Sequence, residues 1–185
     1  MSMKLPPFFK ILSLCFVSAM SVMLLLPVRA AETKDEFSKG TIDIGVVVSD
    51  ADRMAAFLTN AIGFTEVKGF SVAPDLGKRI GLIDGHACDV RVFALTEGDQ
   101  STRLKVLSFP KAGAKQADQG FIHSTLGYRY LTLYVKDMDR AVERLKAAKV
   151  QLLGETPLDL GGGTYIAVIK DPDGNFFELI GKKAK

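Results

Sequence analysis

Val48-Ser49-Asp50-Ala51-Asp52-Arg53 and Val135-Lys136-Asp137-Met138-Asp139-Arg140 are one phrase written twice, 87 residues apart. Continuing both copies without a gap lays Leu58 over Leu145 and Ala61 over Ala148, six identities in fourteen positions. Self-similarity at a fixed offset marks a repeated structural unit, and two copies alone mark a duplicated domain rather than a solenoid.

Each copy opens with an extended apolar run, Ile42 to Val48 and Tyr130 to Val135, and then reaches an Asp. A carboxylate at that point accepts hydrogen bonds from the first free amides of a helix, so Asp50 and Asp137 are read as N-caps. In the second helix Met138, Ala141, Val142, Leu145 and Ala148 recur at steps of three and four, with Arg140, Glu143, Arg144 and Lys146 on the other side. Met54, Phe57, Leu58 and Ala61 form the matching stripe in the first. Both stripes read as core.

After each helix the period becomes strand-like. The first copy offers Phe64 to Val72, Ala87 to Leu95 and Arg103 to Phe109; the second offers Gln151 to Leu153, Tyr165 to Ile169 and Phe176 to Ile180. Asp171-Pro172-Asp173-Gly174 predicts a hairpin turn, because Pro presets one dihedral and Gly accepts a positive one. Thr96 to Thr102 is its looser counterpart, and Pro110 to Thr125 reads as the connection between copies. The plan is βαβββ twice, an α+β fold.

Outside the repeat, Lys4 and Lys10 precede an apolar run from Ile11 to Val28 and then Arg29-Ala30-Ala31, the order of a secretory signal with cleavage after Ala30. The alternative is a membrane anchor formed by uncleaved residues 11–28. Cleavage leaves 155 of the 185 residues, enough for one domain with a core. Three basic residues leave with the leader, so 21 basic face 21 acidic residues and the mature chain is near neutral. A nucleic-acid footprint is therefore not expected, nor stable membrane association once the leader is gone. Only Cys88 remains, so no intramolecular disulfide forms, and its strand setting reads as filler. The expected address is secreted or periplasmic.

Val48-Ser49-Asp50-Ala51, Phe57-Leu58-Thr59-Asn60-Ala61-Ile62-Gly63-Phe64 and Asp171-Pro172-Asp173-Gly174-Asn175-Phe176-Phe177-Glu178-Leu179-Ile180 resemble the vicinal oxygen chelate superfamily, which contains glyoxalase I, extradiol dioxygenases and the bleomycin and fosfomycin resistance proteins. The resemblance implies that two tandem βαβββ modules form a curved mixed β-sheet cup holding a small molecule, often with a divalent metal. The likeness covers about Thr41 to Gly181, so with the leader read above the chain divides into a signal peptide at 1–30, an N-terminal linker at 31–40, one domain at 41–181 and a basic tail at 182–185. Within that domain, module 1 covers about 41–110, a linker 111–125 and module 2 about 126–181.

Metal-dependent relatives draw ligands from the first and last strand of each module. The position seven residues before the capping Asp is Asp43 in one copy and Tyr130 in the other, so both histidines typical of the family are absent. Glu178 matches the family's C-terminal carboxylate, and the hairpin alignment puts Lys105 at the equivalent place. Alternation sends Ile44, Val46 and Val48, and likewise Leu131, Leu133 and Val135, under the helices; Asp43, Gly45 and Val47, with Tyr130, Thr132 and Tyr134, then face the cup. A protonated Lys has no lone pair and repels a cation, so the quartet Asp43, Lys105, Tyr130 and Glu178 is a poor metal site. An ion pair, with Lys105 neutralising Asp43 or Glu178 and the Tyr130 hydroxyl bridging, is the expected local chemistry. That network can be purely structural or part of a binding site.

The remaining chemistry-bearing residues are isolated. His86 and His123 lack ligand partners at useful spacing, and Gly161-Gly162-Gly163-Thr164 precedes a strand without a Lys-Ser/Thr ending, so it reads as a mobile rim rather than a phosphate loop. Three functions stay open. The first is small-molecule binding in a cup lined by Asp43, Lys105, Tyr130, Thr132, Tyr134 and Glu178, with no metal or cofactor; a catalytic variant uses Glu178 as general base and Tyr130 or Lys105 as electrophile. The second is a divalent-metal lyase or dioxygenase of the glyoxalase type, ligated by Asp43 and Glu178. The third is a non-catalytic interaction module whose cup is filled by Tyr128, Tyr130 and Tyr134. A homodimer is left open.

Overall fold

The computed structural model describes residues 36–184, so the expected leader at 1–30 and residues 31–35 of the expected linker lie outside the described residues. From Ser38 the chain folds as one unit. Its first sheet contains β1 (Asp43–Val48), β2 (Thr65–Val72), β3 (Cys88–Ala94) and β4 (Arg103–Ser108) in the order β1-β4-β3-β2. The second contains β5 (Tyr130–Val135), β6 (Leu152–Gly161), β7 (Thr164–Lys170) and β8 (Phe176–Lys182) in the order β5-β8-β7-β6. In each sheet the first and last strands run parallel and the other pairs antiparallel, so the two modules share one topology and neither sheet closes into a barrel.

The repeated phrase does the same work in both copies. The Asp50 carboxylate accepts the amides of Asp52 and Arg53, each at 3.0 Å, and starts α1 (Ala51–Ala56). Pro74 stands in the first turn of α2 (Pro74–Arg79), and Asp137 accepts the Arg140 amide at 3.1 Å to start α3 (Met138–Ala147). The first helix widens into a π-helical segment, Phe57–Ile62, and stops at Gly63, whose φ of +97° suits a residue without a Cβ.

The helix stripes meet in one core that spans both modules, with Met54, Leu58, Met138 and Leu145 packed among Phe93, Val106, Ile169 and Leu179. Two residues at the same repeat position, Phe57 and Arg144, each reach into the other module. Phe57 sets its ring edge-on to Phe177, centroids 5.5 Å apart. Arg144 donates to the carbonyls of Ala61 and Ile62 at 2.9 and 2.8 Å, supplying partners that a helix end otherwise leaves to water. A further link joins the Asp173 carboxylate to the amide and hydroxyl of Ser49.

The hairpin turn is held from within and from the connecting segment. Asp171 accepts from the Asp173 amide and from the amide and side-chain amide of Asn175, at 2.9, 2.8 and 2.8 Å. Burial nevertheless pushes its carboxyl above the ordinary value of 3.8. Gln116 and Gln119 donate to the Asp173 carbonyl and the Asn175 side chain, each at 2.8 Å, so the connection lies strapped across the turn.

Four expectations need correction. Helix α2 was not foreseen; its six residues are too few for a periodic signal, and Pro74 was its main mark. Ile83, on the loop that follows, packs against Cys88, Val90 and Val92, and burial raises the Cys88 thiol. Strand β6 runs to Gly161 rather than stopping at Leu153, because Leu158 and Asp159 pair with Ile166 and Tyr165 after a break in register. Gly161, Gly162 and Gly163, all at positive φ, form a tight β6–β7 reversal that the rim reading did not foresee. The expected tail is also partly built in: β8 includes Lys182, and Lys183 lies over the Tyr165 ring at 4.6 Å and 3.7 Å from Asp139.

Candidate functional site

Burial along β1 and β5 separates two faces. Ile44, Val46, Leu131 and Val135 pack on the core, and Val48 and Leu133 are buried in it. Asp43, Gly45, Val47, Tyr130 and Tyr134 are exposed on the opposite face, the cup face, with Thr132 half-buried among them. The parallel registers then decide which side chains from β4 and β8 stand beside them.

Gly45 lies opposite Lys105, and Thr132 lies opposite Glu178. Because Gly45 and Thr132 are themselves 87 residues apart, Lys105 and Glu178 occupy equivalent places in the two sheets. On the first sheet the Lys105 ammonium sits 3.0 Å from the Asp43 carboxylate. On the second the Thr132 hydroxyl donates to Glu178 at 2.7 Å.

The Tyr130 hydroxyl makes no hydrogen bond among the described residues, so the expected bridge is absent. Register supplies the reason: Tyr130 faces Phe176, one pleat away from Glu178, and half of its surface is in solvent. Thr132 takes the place beside the carboxylate. The alternation of β5 put Thr132 on this face, but its pairing with Glu178, 46 residues on, was not readable from either segment.

The two cups differ. In the first module Ile83 covers Cys88, Val90 and Val92, and Val92 lies opposite Lys105 on the same face. In the second no helix intervenes between β6 and β7, and Tyr130, Tyr134, Leu158 and Leu160 are exposed. His86 lies 3.5 Å from Asp84 and His123 stacks on Phe121, so neither joins the quartet.

These residues do not fit a divalent metal. One of the four positions is an ammonium already bound to a carboxylate, and another is a phenol half in solvent. Among the described residues no group of three or more His, Cys, Asp or Glu stands close enough to hold an ion. No helix among them is long and apolar enough to cross a membrane.

The Lys105 hydrogen bond holds the Asp43 carboxyl below its ordinary value of 3.8, outweighing the small cost of burial. A carboxyl depressed in the folded state adds stability above its unfolded value, and that stability is lost as pH falls through the folded one. Lys105→Met is therefore expected to bring the Asp43 titration, followed by carboxyl carbon NMR, back toward 3.8. The stability difference between variant and parent should narrow as pH drops below that value; a difference that persists unchanged in acid would contradict the ion pair.

Residues 42–179 match the family model described as the Glyoxalase/Bleomycin resistance protein/Dioxygenase superfamily. Comparison with curated proteins returned no match. A glyoxalase family protein from Bacillus cereus superimposes with a TM-score of 0.66 at 19% identity, covering 81% of this chain and 99% of its own. Glyoxalase I of Leishmania major, named trypanothione-dependent, gives 0.56 at 19%, covering 78% and 87%. TnmS3, an antibiotic-binding protein from Streptomyces sp. CB03234, gives 0.51 at 21%, covering 77% and 95%. At such identities the likeness is one of fold. The duplicated βαβββ plan, the two matching mixed sheets and the family match over residues 42–179 together show that this chain belongs to the glyoxalase/bleomycin resistance protein/dioxygenase superfamily.

Proposed function

We propose that this protein is exported and binds a small organic molecule on its cup face without a divalent metal. The observation that carries the reading is the pair of contacts in the ligand positions, Lys105 on Asp43 and Thr132 on Glu178, beside the exposed rings of Tyr130 and Tyr134. Aromatic surface beside a few oriented polar groups is the combination by which a protein holds and orients a small molecule. The fold neighbour TnmS3, named as antibiotic-binding, points the same way.

A catalytic form of the reading keeps Glu178 as general base, with Thr132 orienting its carboxylate and Tyr130 or Lys105 polarising a carbonyl. Turnover that survives removal of both the Glu178 and Lys105 side chains would exclude it.

The test begins with the full-length gene expressed with its leader and the protein purified without chelator. Mass spectrometry should find a chain starting at Ala31. Elemental analysis should find far less than one metal per chain, and the dye 8-anilinonaphthalene-1-sulfonate should bind saturably, with unchanged affinity in excess EDTA. Near-stoichiometric metal that disappears in the Asp43→Ala/Glu178→Ala variant would replace this reading with a metal-dependent lyase or dioxygenase. Absence of any saturable binding would favour an interaction module.

A further inference from the structure

β1 and β5 are each the end strand of their own sheet and are not hydrogen-bonded to one another. Between them opens a cleft of about 130 Å³ that runs from the cup side into the core. Its inner wall is Met54, Leu58 and Leu104 from the first module with Leu131 and Phe177 from the second. These five side chains carry no charge, and Met54, Leu58, Leu104 and Phe177 are each no more than 8% exposed, while Arg129, Asp171 and Asn175 also line the cleft.

The mouth is open for a local reason. At the repeat position where the second module has Thr132, the first has Gly45. A Cβ built on Gly45 would meet only Leu107 Cδ1, at 3.7 Å, so the missing side chain leaves free space at the lip. The phenol rings of Tyr128 and Tyr130 stand on the other side.

We infer that this seam is a second binding site, adjoining the ion-paired cup face and sharing Tyr130 with it, for a single-ring aromatic molecule bearing one small polar group, the class of a phenol. The size decides the class: an apolar hollow of about 150 Å³ accommodates a benzene ring, and a fused ring system would not enter without moving the core. The apolar inner wall favours a neutral ring, while the lip of the seam and the polar groups of Tyr130, Arg129, Asp171 and Asn175 let one hydroxyl remain hydrated or hydrogen-bonded. The site shares Gly45 and Tyr130 with the cup face but none of Lys105, Thr132, Tyr134 and Glu178, so it does not depend on the ion pair or on the Thr132–Glu178 contact.

4-Fluorophenol is the probe, added to the whole protein carrying ¹³C-methyl methionine. Saturable shifts of the Met54 methyl, with nuclear Overhauser contacts from the ring and an unmoved Met138 methyl, are expected. Ile44→Phe, which adds volume beside the cleft, should weaken binding by about tenfold or more, equivalent to ~1.4 kcal/mol. Tyr134→Ala should leave it unchanged. A Met54 methyl that does not move at millimolar probe would overturn the seam site, whether or not Ile44→Phe folds. Binding lost in Tyr134→Ala but not in Ile44→Phe would also overturn it, and would place the phenol on the cup face instead. If 4-fluorophenol fills the seam while the anilinonaphthalene dye fails to bind, the cup-face reading falls and this one stands.

Discussion

Phe177→Ala is expected to lower the unfolding free energy by about 3–5 kcal/mol, the usual cost of removing a buried aromatic ring. The ring is 4% exposed, borders the seam and meets Phe57 of the other module edge-on at 5.5 Å. Its removal would therefore enlarge an existing hollow and break the apolar half of a reciprocal contact whose polar half is Arg144. A domain stabilised by about 5–15 kcal/mol would keep only part of that margin. Urea denaturation should show a lower midpoint with an unchanged slope. The milder Phe177→Leu, crossed with Phe57→Leu, should reveal a coupling of about 0.5–1.5 kcal/mol, the surplus that aromatic pairs show beyond their buried area. Two separate unfolding transitions, with only one moved by Phe177→Ala, would mean that the modules do not share a core.

The second large effect is expected in binding rather than folding. Tyr130→Ala combined with Tyr134→Ala should weaken anilinonaphthalene binding by about thirtyfold, or ~2 kcal/mol, the scale of aromatic anchors at recognition surfaces. The two rings are 50% and 82% exposed, so the same variant should change stability by no more than about 1 kcal/mol. The separation of the two readouts is the point of the experiment. Unchanged dye affinity in the double variant would remove the cup face as the site, and a collapse in stability would show that these rings hold the fold instead.

Much of this architecture was legible in the letters because its causes are local. Asp50 and Asp137 each cap a helix whose first amides lie two or three residues away. The alternation of Ile44, Val46 and Leu131, Leu133 needs only the pleat of a single strand to choose a face. The equivalence of Lys105 with Glu178 followed from aligning two hairpins, and the registers opposite Gly45 and Thr132 bear it out. Helix α2 escaped because six residues carry too little periodicity, and the far half of β6 escaped because its pairing resumes after a break.

From the chain of residues alone came the duplication, the two caps, the faces of the first strands and the family. Which of those facing groups touch was settled only when the chain closed on itself. Lys105 chose Asp43 rather than Glu178, and Glu178 took a hydroxyl from Thr132 rather than Tyr130. The seam that Gly45 leaves open, and the cover that Ile83 lays over one cup but not the other, belong to the same level. Caps and pleats are decided by neighbours a few residues apart. The pairing of strands 46 residues distant, and the Ser49–Asp173 link across 124, depend on how two modules fill the space between them, which no local pattern encodes.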